Sequence, residues 1–263
     1  MPLRLWLASS AGLVLFVLPF TRLASGGYLP LLGVAAATVL VFGVVETATR
    51  RLDNRRLALL AALAAIDAGL RLSLVSGIAG FSPVFFLILC SGYVFGPSYG
   101  FLTGSTCLLA SAFATGGVGP WLPYEMFAAG WVGAVAGVAR PRSTRPAGWR
   151  DVVRLGAVGF ALGFAYGAAT DVWDWATFYR GVPDLGWTPG LAPLAAVARF
   201  GHFYLVTSLA WDSFRAVGNV AMVGLLGLPI LAALLRFRER FTVVIEPVPA
   251  PTQALQGGPL PQL

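Results

Sequence analysis

The chain contains no lysine; all 18 of its basic residues are arginine. A Walker-type phosphate loop needs a lysine to reach the phosphates, so this chain does not bind ATP by that route. Lysine Schiff-base chemistry, including that of a retinal protein, is excluded on the same ground. There is 1 histidine, His202. Bis-histidine haem ligation and the HExxH zinc site each require two. The 2 cysteines, Cys90 and Cys107, lie inside apolar runs and read as buried thiols, not as a disulfide. Charge of either sign is sparse. Only 11% of residues are charged, against about 25% in a soluble domain.

What replaces charge is apolar surface, at 57% of residues. Eight apolar segments run over roughly 5–21, 28–49, 57–78, 82–96, 98–115, 121–139, 153–176 and 211–235. Crossing a bilayer takes about 20 helical residues. The short alternating segments of a transmembrane barrel are missing. Helices satisfy every backbone N–H and C=O within their own segment, as lipid demands. The expected fold is therefore all-α, a polytopic membrane helical bundle. The fourth segment is short for a span. A semi-apolar stretch, 194–210, is either an outer-surface helix or an extension of the last span. The loops are too short for a soluble domain, and 241–263, rich in Pro, Gly and Gln, reads as a disordered tail.

The arginines fix an expected orientation. Arg4 precedes segment one. Arg50, Arg51, Arg55 and Arg56 follow segment two, Arg140, Arg142, Arg145, Arg150 and Arg154 follow segment six, and Arg236, Arg238 and Arg240 follow segment eight. With both termini cytoplasmic, all four groups fall on the inner face, provided segments three to six number four, as they do. The other connections carry only Arg22 and Arg180. The formal net charge of +7 is thus a topology signal, not a nucleic-acid footprint. Segment one reads as a retained helix in preference to a signal peptide, because Arg22 lies close to the would-be cleavage site after Ala24-Ser25-Gly26.

Polar residues at membrane depth mark function or pairing. Asp67 and Arg71 are four apart in segment three, roughly 15 and 21 Å from the inner face at 1.5 Å per residue. They form either a structural ion pair or an arrangement in which Arg71 faces an outward cavity. Glu125 opens segment six beside Trp121 and Tyr124, and needs a donor such as Arg71 or Arg199. Asp171, Trp173, Asp174 and Trp175 end segment seven. His202, Asp212, Arg215 and Asn219 lie at or near the outer end of segment eight, the last three on one helical face. With Phe81, these residues describe an outward small-molecule pocket between segments three, six, seven and eight. Gly96, Gly100 and Gly104 repeat at four-residue spacing and permit close helix approach. Segment three carries a second small-residue stripe, Ala61, Ala65 and Gly69, beside Ala64 and Ala68.

Three stretches resemble the substrate-binding S component of energy-coupling factor (ECF) vitamin transporters. They are 61–71 with Gly80-Phe-Ser-Pro-Val-Phe-Phe; Gly92-Tyr-Val-Phe-Gly-Pro-Ser-Tyr-Gly-Phe-Leu-Thr-Gly104 continuing through Gly119-Pro-Trp-Leu-Pro-Tyr-Glu-Met-Phe-Ala; and Ser208-Leu-Ala-Trp-Asp-Ser-Phe-Arg-Ala-Val-Gly-Asn219. The resemblance covers 57–240 and implies a six-helix core. Residues 1–56 then add an N-terminal helix pair with its arginine loop. It further implies a multi-pass subunit of a prokaryotic cytoplasmic membrane, without its own ATPase. Its partners would be a membrane T component, two ABC ATPases and a vitamin substrate, with Ala61, Ala64, Ala65 and Ala68 docking on the T component. The cobalamin-type members are nearest in character, although Glu125 stands where relatives tend to have Gln. Substrate contacts would come from Arg71, Phe81, Trp121, Tyr124, Glu125, Asp171, Trp173, Asp174, His202, Asp212 and Asn219. No catalytic residue, metal or cofactor is implied. Two other classes remain in view. One is an intramembrane enzyme acting on a lipid or isoprenoid, using Asp171, Asp174, Asp212 and His202. The other is a ligand-free scaffold.

Overall fold

The computed structural model describes residues 3–21, 28–49, 52–73, 84–140 and 146–239. Phe81, the tail 241–263 and Arg22, Arg50, Arg51, Arg142, Arg145 and Arg240 lie outside the described residues. Among the described residues helices are the only regular secondary structure. The helices are α1 (Leu3–Val17, closed by a 3-10 turn Leu18–Phe20), α2 (Tyr28–Ala48), α3 (Asn54–Ser73), α4 (Val84–Phe95), α5 (Pro97–Thr115), α6 (Leu122–Ala139), α7 (Trp149–Thr177), α8 (Pro193–Thr207) and α9 (Leu209–Glu239). Each of the eight apolar segments is one helix. The stretch 194–210 falls largely in α8, a separate helix that ends at Ser208.

Local chemistry sets the boundaries. The Asp53 carboxylate accepts from the Arg56 N–H (2.8 Å) and starts α3. Gly96 (φ 96°) turns the chain into Pro97, whose fixed φ suits the first position of α5. Gly116 (φ 70°) closes α5 in the left-handed region.

Five helices are long and apolar enough to cross a membrane: α1 with its 3-10 turn, α2, α6, α7 and α9; α4 is a shorter apolar helix. Two expected spans, α3 and α5, are less apolar than this. The reason lies in their packing. α5 is surrounded by α3, α4 and α6, so its Thr103, Ser105 and Ser111 are buried in protein, not offered to lipid. α3 buries Asp67 against the bundle and carries arginines at both ends. Leu13, Val14, Leu40, Val44, Val138, Phe160, Val217 and Leu225 are exposed on the flanks. So much outward apolar surface suits a multi-pass membrane protein and would be a liability in water.

Side-chain contacts show which helix ends lie together. Arg4 Nη1 donates to Thr49 Oγ1 (2.6 Å), and the Tyr99 hydroxyl donates to the Arg56 carbonyl (3.1 Å). Arg140 and Arg238 both donate to the Val94 carbonyl (2.7 and 3.1 Å), and the Tyr93 hydroxyl donates to Asp151 Oδ1 (2.7 Å). These bonds gather the arginine-bearing ends of α1, α3, α6 and α9 at one end of the bundle. The helices alternate in direction as the arginine parity requires.

The tightest contact in the bundle is between α5 and α6. A Cβ on Gly100 or Gly104 would collide with the backbone at Gly133 or Ala129, and one on Gly133 with the backbone at Gly100. The four-residue glycine spacing therefore does bring two backbones together. Gly96 is the exception and serves the turn. Gly104→Leu should lower the thermal midpoint in detergent by the equivalent of about 1–3 kcal/mol or prevent folding. Gly224→Ala, where a Cβ meets nothing within 4 Å, should leave the midpoint unchanged or slightly raised.

Candidate functional site

At the end away from the arginines, α6, α7 and α9 enclose a cavity of about 240 Å³. Trp121, Tyr124 and Glu125 come from the start of α6. Tyr166, Gly167, Thr170, Asp171, Trp173 and Asp174 come from the last turns of α7. Ser208, Trp211, Asp212 and Arg215 come from the junction of α8 and α9. Trp121 and Trp211 are partly exposed at the rim, whereas Tyr124, Trp173 and Asp212 are buried.

A glycine ladder holds α7 and α9 at this distance. Gly159, Gly163 and Gly167 recur every four residues on α7 and face Asn219, Ala216 and Asp212 on α9. A Cβ at Gly163 would strike the Ala216 backbone, and one at Gly167 would occupy the place of the Asp212 carboxylate. Asn219 Nδ2 donates to the Gly159 carbonyl (2.8 Å), and Arg215 Nη1 approaches the Gly163 carbonyl (3.4 Å). The carboxylate of Asp212 thus lies in the space a side chain on Gly167 would take. Arg215 forms an ion pair with Asp212 Oδ1, and the Tyr204 hydroxyl of α8 donates to Asp212 Oδ2 (2.9 Å). The Arg215 guanidinium also lies over the Tyr166 ring (5.1 Å) and near the Phe85 ring (6.0 Å).

Aromatic contacts form the opposite wall. Trp173 stacks on Tyr124 (5.3 Å, 30°), and Phe178 meets Trp173 edge-on (5.1 Å). Phe16 of α1 meets Tyr124 edge-on (5.2 Å). Phe20 reaches Trp187 (5.2 Å) and Trp175 (6.2 Å), so the N-terminal helix buttresses this end. Asp171 is 7% exposed, and its Oδ2 has no hydrogen-bond partner.

No protein-family model, curated protein or solved structure matches this chain. What the site can do follows from its own residues.

Seven of the eleven expected substrate contacts line the cavity: Trp121, Tyr124, Glu125, Asp171, Trp173, Asp174 and Asp212. Three do not. Asn219 is bonded to α7 and works as a helix clamp. His202 is on the exposed side of α8 and does not reach the cavity. Arg71 donates to Ser111 Oγ on α5 (2.8 Å) and acts on Glu125 only through its charge. Arg71 does not bond Asp67, whose two carboxylate oxygens accept no hydrogen bond. Arg199 instead approaches the Gly186 carbonyl (3.3 Å). Phe81 lies outside the described residues. Trp175 is turned away, its Nε1 donating to the Leu185 carbonyl (2.9 Å). The lining residues outside the expected contacts are Tyr166, Gly167, Thr170 and Ser208, which the sequence did not mark, and Trp211 and Arg215, which it placed at the outer end of segment eight without a contact role. The glycine spacing in segment seven was the available signal for the face that holds Gly167.

Among the described residues no three His, Cys, Asp or Glu side chains converge as a metal-binding set. The stripe on α3 divides between two faces. Ala61 and Ala65 are exposed, Ala68 is half-buried, and Ala64 is in the core. Ala64 therefore packs within the bundle and is not available to a partner.

Asn219→Leu should cost about 1 kcal/mol of stability through the lost clamp bond. Ligand affinity should stay within experimental error in the folded fraction. A large fall in affinity without loss of stability would return Asn219 to the cavity.

Proposed function

We propose that this protein is the membrane-embedded solute-binding subunit of an ECF-type importer. One observation carries the reading. Two separate stretches with S-component resemblance, 119–128 and 208–219, converge on one aromatic and acidic cavity, with α7 between them. Small-molecule sites are concave, mostly apolar, and hold a few placed polar groups. A second cavity of about 330 Å³ at the arginine end has one acidic side chain, Glu46, already within ion-pair range of Arg4 (3.6 Å). A groove between α1 and α2 is almost wholly apolar and lies on the flank. Neither offers convergent polar groups of the same kind.

In this reading the arginine end faces the cytoplasm and the cavity faces outward. The exposed row Ala61 and Ala65 docks on a T component. Two partner ATPases supply the energy, which suits a chain without a phosphate-binding lysine. A cavity of about 240 Å³ favours a solute far smaller than cobalamin.

A cognate solute at 100 times its Kd should stabilise the purified protein by about 2.7 kcal/mol, read as a rise in thermal midpoint. Co-expression with a T component and ATPases should yield a co-purifying complex. Ala61→Leu with Ala65→Leu should abolish that complex and leave solute binding intact. Unchanged assembly in the double variant would remove the docking assignment, and the lack of any stabilising solute would favour a ligand-free scaffold.

A further inference from the structure

The charge of the cavity narrows its ligand. Four carboxylates, from Glu125, Asp171, Asp174 and Asp212, line it against a single arginine. Asp212 and Arg215 neutralise each other. Arg71 offsets part of the Glu125 charge from behind. Asp171 has the Ser208 hydroxyl and a share of the Arg215 charge but no cation of its own, and Asp174 has no cationic partner.

Their position on the helix is informative. Glu125 and Asp212 sit in the first turns of α6 and α9, where the positive end of the helix dipole favours an acid. Asp171 and Asp174 sit near the C-terminal end of α7, where the dipole is also negative, and the last turn of α7 contains no basic residue. The dipole opposes Asp174, in the last turn, while Asp171 lies a turn further in, beyond the dipole's main reach; neither draws support from a basic residue in that turn, so a cation from outside the helix would balance them. Asp171 adds the second observation. It lines the cavity nine-tenths buried, with Oδ2 unpartnered. An unpaired buried acceptor costs more than the hydrogen bond it lacks would contribute.

The walls have the matching chemistry. Arg215 already shows how this site holds a delocalised cation: one carboxylate beside it and the Tyr166 ring 5.1 Å from its carbon. Trp173, Trp121 and Trp211 offer further π surface near Asp171. Anions find little to bind. The N–H groups opening α6 are occupied, Tyr124 and Glu125 both donating to the Trp121 carbonyl (3.0 and 3.1 Å).

We infer that the cavity takes a small organic cation, a protonated or alkylated nitrogen compound of about ring size, with Asp171 as its counter-ion and the indole and phenol faces as its walls. The inference rests on the solute-binding reading and adds the charge class.

An isosteric series separates the two. Benzamidinium, benzamide and benzoate share a shape and differ in charge, and each is titrated calorimetrically against the full-length protein in nanodiscs. Benzamidinium should bind saturably and at least about tenfold tighter than benzamide, with no binding of benzoate, since charge-assisted contacts outweigh neutral ones by that order. Asp171→Asn should weaken benzamidinium about tenfold. Asp174→Asn, at a half-buried position that does not threaten folding, should weaken it severalfold and carries the test if the first variant fails to fold. Equal or tighter binding of benzamide or benzoate, reduced by Trp173→Ala, would overturn the cation class and leave the solute cavity standing. Failure of all three probes to bind would overturn the inference, while the reading beneath it stands or falls on the solute-stabilisation and co-purification tests. Benzamidinium binding unchanged in both aspartate variants would overturn the counter-ion assignment.

Discussion

The close approach of α7 and α9 is the constraint on which the cavity depends. In lipid there is no hydrophobic gain from bringing apolar helices together, so association rests on van der Waals contact and interhelical hydrogen bonds. The glycines at 159, 163 and 167 remove side chains from one face of α7. The carbonyls of Gly159 and Gly163 then come within reach of Asn219 and Arg215. A residue with a side chain at Gly167 would push α9 outward and take Asp212 and Arg215 from the cavity floor. The same device on α5 and α6 fixes the other wall, through Gly100, Gly104 and Gly133. Two glycine seams thus set the positions of α6 and α9, whose first turns form the mouth.

Such a site has to stabilise its own charges. Removing one partner of a buried ion pair leaves an uncompensated charge, at a cost of about 3–5 kcal/mol. Asp212 is therefore met from two sides, by Arg215 and by Tyr204, and Arg215 by a carboxylate and two rings. Tyr204 brings α8 into the arrangement. That helix buries Phe203 and exposes Leu194, Val197 and Leu205, so apolar side chains lie on both its sides, and its end at Ser208 borders the cavity. Asp171 is supported less fully, by the Ser208 hydroxyl and the more distant charge of Arg215, and its Oδ2 has no hydrogen-bond partner.

The helices and their alternation were legible in the sequence because both rest on composition. Long apolar runs and clustered arginines need no knowledge of which faces meet. The residues of the cavity were legible where a polar group interrupts an apolar run near its end, as at Glu125, Asp171 and Asp212. What escaped was pairing. Asp67 and Arg71 satisfy the i, i+4 rule, yet Ser111 on α5 competes for the guanidinium, and a one-dimensional reading does not contain α5. His202 entered the expected site through its position near the outer end of segment eight, but the face of α8 it occupies is decided by Phe203, the ring that seeks burial. Ala64 belongs to the same small-residue pattern as Ala61 and Ala65, and a rotation of about 100° per residue separates the buried face from the exposed one. The glycines of segment seven were as visible as those of segment five, and their partner face on α9 was already marked by Asp212 and Asn219.

The N-terminal helix gains a role from the same geometry. Gly12 lies against the Phe127 ring, so α1 seats closely on α6. One turn further along, Phe16 meets Tyr124, and Tyr124 stacks on Trp173. A contact at the flank of the bundle is thereby transmitted, through two rings, to an indole that lines the cavity. Edge-on and stacked aromatic pairs contribute about 0.5–1.5 kcal/mol each beyond their burial, enough to hold a ring in one orientation. α1 therefore does more than pack on the flank. It fixes the aromatic wall from outside, as Arg215, itself part of the lining, fixes the acidic wall from within.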